Sequence, residues 1–183
     1  KTAEENYQAV IEELDDKNYP EAVKFLEQVR NKFPYSKFAT LAELKLADAK
    51  FMQDKFLESA EAYKGFIKLH PNHEQTDYAA FRVGLSYFKE APAGFFLFPP
   101  AYEKDQTQLK SAVTHLSDFV KTYPQSKYLP EAQKTLTEAN DRLAEHEWYA
   151  AQFYRKRNRW PAVVGRLDGL VRDFPNTKHE ADA

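Results

Sequence analysis

Cysteine is absent from the 183 residues, which excludes disulfides, thiolate nucleophiles and zinc–thiolate sites. Glycine is scarce, with five in all, and nothing reads as alternating strands joined by glycine-rich turns. No stretch reaches the roughly 18 to 20 apolar residues of a membrane-crossing helix. Charge of one sign is missing too: 26 basic residues stand against 28 acidic ones, a net charge of −2 that gives nucleic acid no overall attraction. No leader-like segment opens the chain, because the helical pattern begins almost at Lys1. If the protein is exported or lipid-anchored, the targeting segment is expected outside this sequence. Apolar content is ample: 43% of residues are hydrophobic and 15% aromatic, enough for a substantial core.

Proline marks the organisation. Four prolines, Pro34, Pro71, Pro124 and Pro175, share one context: an aromatic or histidine precedes each, and Ser36, His73, Ser126 or Thr177 follows two residues later. Fifteen residues before them stand Tyr19, Phe56, Leu109 and Trp160, and twelve before stand Ala22, Ser59, Ala112 and Val163. Eight before are Leu26, Tyr63, Leu116 and Leu167, and five before are Val29, Phe66, Phe119 and Leu170. Steps of three and four residues trace one helix face. Proline then ends the helix, because it lacks an N–H and pushes the preceding residue out of the helical region. The Ser, His or Thr after it is placed to cap the next helix. Ala47 and Gly84, thirteen residues after Pro34 and Pro71, sit where a small side chain lets the two helices of a hairpin approach, with Gln53–Lys55 as the turn between them.

The interval from Pro34 to Pro71 is 37 residues, close to the tetratricopeptide repeat. A hairpin with two apolar faces must stack on neighbours. The expected fold is therefore all-α, a tetratricopeptide-like α-solenoid of stacked helical hairpins. One array over residues 1–183, with about four to five hairpins, accounts for the whole chain. Two intervals are longer. Pro71 to Pro124 spans 53 residues, with an insertion near residues 90–106 that contains three prolines and a glycine. Within it Phe95, Phe96 and Phe98 either tuck against the fold or form a contact patch. Pro124 to Pro175 spans 51 residues, and its excess reads as an additional helix or one long helix, since no Gly or Pro occurs from Glu131 to Trp160. The final hairpin lacks a covering helix in the sequence, and truncation at the C-terminus is expected.

The residues resemble the BamD (ComL-type) family, lipoproteins of the outer-membrane β-barrel assembly machine. Tyr123–Tyr128, Asp141–Ala144 with Glu147, Trp160–Gly169 and Val171–Pro175 carry the likeness most densely. Pro71–His73, Asp77–Tyr78, Gly84–Leu85, Phe95–Phe96 and Asp105–Gln106 extend it upstream. That family's lipid-attachment cysteine and final repeat are absent, and Phe95–Pro100 is more apolar than its counterpart. The resemblance implies a non-catalytic scaffold at the periplasmic face of the outer membrane, lipid-anchored in full-length form. It implies binding to the periplasmic domains of BamA, association with the other assembly-machine lipoproteins, and capture of unfolded outer-membrane proteins. The membrane is expected to be touched only through the lipid anchor. A periplasmic tetratricopeptide adaptor of the cell-division or pilus-assembly type is the rival.

Five of the eight arginines lie between Arg155 and Arg172. Arginine forms forked pairs with carboxylates and suits interfaces. Arg166 matches the family position that pairs with an acidic residue of BamA, and Arg172, Arg159 and Trp160 are expected beside it. The alternative is a solvated basic face paired with Asp168 and Asp173. Tyr7, Tyr78, Phe81 and Arg82 are candidates for a peptide groove lined by the first helix of each hairpin, or else are hairpin packing. No metal, cofactor or catalytic residue is expected: Glu145-His146-Glu147 lacks the second histidine of a zinc-protease helix, and His70 holds a position that is Phe or Tyr in sister repeats. No phosphate loop or nucleophile elbow occurs.

Overall fold

The computed structural model describes residues 2–92, 101–180 and 183, and among them every regular element is helical. Eight α-helices follow one another: α1 (Ala3–Asp15), α2 (Tyr19–Lys32), α3 (Lys37–Met52), α4 (Phe56–Leu69), α5 (Thr76–Glu90), α6 (Thr107–Thr122), α7 (Leu129–Arg155) and α8 (Trp160–Asp173). A short 3-10 turn, Ala101–Glu103, precedes α6. The class is the all-α, tetratricopeptide-like one that the proline spacing predicts.

The repeat is visible in the backbone itself. The residues before the four prolines, Phe33, His70, Tyr123 and Phe174, all cap a helix, with φ between −122° and −131° and ψ between 51° and 59°. Each donates its N–H to the carbonyl four residues back, on Val29, Phe66, Phe119 and Leu170. The hairpin turns repeat as well. Lys17, Asp54 and Asn158 have φ of 58°, 58° and 55°, each seventeen residues before its proline. The next residue in each turn, Asn18, Lys55 or Arg159, opens the second helix with ψ of 62° to 64°. In the third unit the insertion replaces this turn between α5 and α6. The excess before Pro175 is one long helix, the 27-residue α7. Of the four predicted capping residues, only Ser36 caps a helix, accepting the Ala39 N–H at 3.1 Å. At two junctions the next helix starts later, so His73 and Ser126 accept turn N–H groups of Gln75 and Tyr128 instead. Thr177 donates to the Phe174 carbonyl.

By contacts the chain divides into two compact units, Lys1–Tyr87 and Phe88–Ala183. In the first, Val10, Leu26, Val29, Ala42 and Leu46 form a core, with Tyr7, Val23 and Phe38 packed against it. Ala47 is fully buried, and the Ser59 hydroxyl donates to its carbonyl at 3.0 Å, so the α3–α4 approach rests on two small residues. In the second, Ala91, Leu109, Ala139 and Leu143 form the core, with Phe88, Val113 and Phe174 around it. Burying a side chain of this size is favourable by about 1.5 to 3 kcal/mol, which makes the repeated positions the fold's main support. α7 packs against α6, α8 and the 3-10 turn. Tyr102 packs at a tilt against Tyr149 with ring centroids 4.7 Å apart, and Arg142 lies 5.2 Å over the Phe88 ring.

Candidate functional site

Two surfaces concentrate functional chemistry, one in each unit. The first draws on α1, α3, α4 and α5. Asp48 of α3 is its centre: its Oδ1 accepts hydrogen bonds from the Tyr63 hydroxyl at 2.6 Å and the Tyr78 hydroxyl at 2.7 Å. Lys45 pairs with the other oxygen at 3.0 Å. Arg82 of α5 donates from Nε to the Tyr63 oxygen at 3.1 Å and lies 3.7 Å over the Phe51 ring. Tyr63 and Tyr78 meet edge to face, 6.1 Å apart. Burial, reinforced by the negative charge of Asp48, pushes both phenols well above their usual range. Tyr7 sits 5.6 Å from Phe38, and burial raises it as well, with Lys45 opposing. Of the four residues predicted for a groove, Tyr7, Tyr78 and Arg82 are half-buried with accessible atoms. Phe81 is 2% exposed and belongs to the core, so its ring offers no surface. Asp48, Phe51 and Lys45 complete the cluster and were not anticipated. The i, i+3 spacing of Lys45, Asp48 and Phe51 along one helix is the signal that could have found them.

The second surface lies on α8 and α7. Arg166 donates from its Nη1 to Glu147 Oε2 at 2.8 Å, while its side chain stays 42% exposed. The Glu147 bond holds the guanidinium proton more firmly than usual against a partial burial cost. Arg172 forms a forked pair with Asp173 at 2.8 and 2.9 Å, largely in solvent. These groups border an open groove of about 470 Å³, whose lining includes Lys110, Tyr154, Gly165 and Gly169. A Cβ added at Gly165 or Gly169 would meet nothing within 4 Å, so space above the helix backbone is vacant. The expected pairing with the neighbouring acids holds for Arg172 and Asp173. Arg166 turns to Glu147 across the hairpin instead. Arg159 and Trp160 are not brought into this groove. Arg159 ends the exposed turn between α7 and α8, and Trp160, the first residue of α8, is 56% exposed.

Phe95, Phe96 and Phe98 lie outside the described residues. The histidines have local partners: His70 Nε2 meets Glu43 at 2.7 Å, and His179 meets Glu145 at 3.0 Å. Among the described residues no three His, Asp or Glu side chains converge as a metal site, and no helix is long and apolar enough to cross a membrane. Both surfaces set partly exposed guanidinium groups beside tyrosine rings.

Comparison with known proteins gives one family. Its profile, described as outer membrane lipoprotein (YfiO), matches residues 1–183. The outer membrane protein assembly factor BamD of Neisseria meningitidis serogroup A is 29% identical over 182 residues, covering 97% of this chain and 67% of that protein. The BamD of Caulobacter vibrioides is 26% identical over 177 residues, 97% of this chain and 55% of its own length. That of Rickettsia prowazekii is 24% identical over 170 residues, 93% of this chain and 64% of its own. The chain thus spans between about half and two thirds of these relatives.

Proposed function

The chain belongs to the YfiO family of outer membrane lipoproteins, that of the BamD assembly factors, and from that premise we propose that it is a non-catalytic scaffold for outer-membrane protein assembly. It works at the periplasmic face of the outer membrane, among the other lipoproteins of the assembly machine. The groove on α8 receives the periplasmic domains of BamA, with Arg166 and Arg172 as its charged anchors. The Tyr7–Asp48–Tyr78–Arg82 surface receives extended segments of unfolded outer-membrane proteins. The observation that carries the BamA reading is the half-exposed Arg166 held by Glu147 at the edge of a groove floored by Gly165 and Gly169. A guanidinium already oriented by one carboxylate has donors left for a second, and glycine lets a partner approach the helix backbone.

The test is the affinity of this chain for the periplasmic domains of BamA from the same organism, wild type against Arg166→Glu. Micromolar or tighter binding, weakened at least tenfold by the reversal (about 1.4 kcal/mol), is the expected result. A folded wild type with no affinity overturns the BamA assignment.

A further inference from the structure

The turn between α7 and α8 is explained neither by packing nor by the groove. Residues 148–167 contain five cations and no Asp or Glu, in a chain whose net charge is −2. Arg155, Lys156, Arg157 and Arg159 crowd into this turn, all exposed. No ion pair satisfies any of them among the described residues; Arg157 lies over the Phe153 ring at 3.5 Å and donates to that residue's carbonyl, with its charge also acting on the Tyr149 phenol. Phe153 is 40% and Trp160 56% exposed, so two aromatic rings flank the cations in solvent. A helix C-terminus accommodates Arg155 and Lys156. It does not account for Arg159, which stands at the positive N-terminal end of α8. There α2 and α4 each carry an acid in the first turn, Glu21 and Glu58, and α8 carries none. Local stability thus disfavours the charge that the turn displays, the mark of a residue retained for a contact outside the chain.

We propose that this turn is a membrane-surface contact: Arg155, Lys156, Arg157 and Arg159 meet the phosphates of anionic phospholipid, and Trp160 seats its ring at the headgroup level. The charge complementarity is direct, since clustered Lys and Arg side chains are drawn to an anionic leaflet and amphipathic aromatic rings settle at its interface. Membership in an outer membrane lipoprotein family places such a leaflet within reach. The turn adds a second contact to the lipid anchor, through which alone the family resemblance implies that the membrane is touched. This rests on the family's membrane association and not on the BamA groove, so the two fail separately.

The experiment is co-flotation of the chain, carrying no lipid, with vesicles of phosphatidylcholine alone or with one part in three phosphatidylglycerol. Partition onto the anionic vesicles is expected to exceed that onto neutral ones at least tenfold at about 0.05 M salt and to collapse at about 0.5 M, where the screening length is a few ångströms. The triple variant Arg155→Ser, Lys156→Ser, Arg157→Ser loses at least tenfold in partition with unchanged helicity, while Lys68→Ser, at an exposed position of α4, floats like the wild type. Wild-type tryptophan emission shifts to the blue on anionic vesicles, and Trp160→Phe removes the shift although Trp148 remains. A wild type that stays unbound, a triple variant that floats as well as the wild type, or tighter association with polyglutamate than with the vesicles each overturns the proposal. The last outcome assigns the turn to an acidic protein partner.

Discussion

Asp48 holds three donors at once, the hydroxyls of Tyr63 and Tyr78 and the Lys45 ammonium, with only 14% of its side chain exposed. Removing it takes from both tyrosine hydroxyls the charged acceptor they share at a largely buried site, and a bond to a charged group lost there costs more than a neutral one. Asp48→Ala is therefore expected to lower stability by about 2 to 3 kcal/mol in urea titrations, with the unfolding slope unchanged. The same two phenols give a pH signature. Their folded pKa values lie above the usual phenol range, so the native state keeps them protonated while the unfolded chain ionises them near pH 10. Their contribution is complete below about pH 10 and is lost as pH rises toward the folded values. Absorbance titration of the eleven tyrosines is expected to show two that ionise only together with alkaline unfolding, and Tyr78→Phe removes one of them.

Within the elements, the turns and α8 show what local sequence does and does not explain. Lys17 and Asp54 accept a left-handed backbone that favours glycine or asparagine, as found at Asn158, because the hairpin closes only through that conformation. α8 is the reverse case. Gly165 and Gly169 lie inside a helix where glycine costs about 1 kcal/mol relative to alanine, and among the described residues no side chain or neighbouring backbone fills the space. Gly165→Ala with Gly169→Ala is expected to stabilise the fold by about 1 to 2 kcal/mol in thermal melts while weakening BamA binding at least tenfold. Stabilisation with undiminished binding would remove the groove floor from the interface.

At the scale of the whole molecule, the two candidate surfaces belong to different compact units. Sites that share no side chain contribute independently. Arg82→Lys, which keeps the charge but loses the Nε bond to Tyr63 and the guanidinium contact over Phe51, is expected to weaken retention of an unfolded outer-membrane protein severalfold. It should leave affinity for BamA within twofold. Arg166→Glu is expected to do the opposite. Binding of each partner measured separately for both variants checks this, and a variant that damages both equally would argue for one shared site.

The four proline junctions could be read from the sequence alone, because proline's missing N–H and fixed φ end a helix whatever surrounds it. The buried faces of α2, α4 and α6 were equally legible through steps of three and four, while the lack of Gly and Pro between Glu131 and Trp160 left an additional helix or one long helix open, and packing decided for the single α7. Arg166 could be singled out by its neighbours in the chain, but not its attachment to Glu147, nineteen residues earlier. Phe81 and Tyr78 could not be told apart as core and surface, since three residues on a helix leave only tens of degrees between a buried ring and an exposed one. The Asp48 cluster draws on α3, α4 and α5, so only their packing brings it together. Local covalent geometry wrote the helices and stops into the sequence, whereas partners far apart in the chain were decided by which helix faces meet.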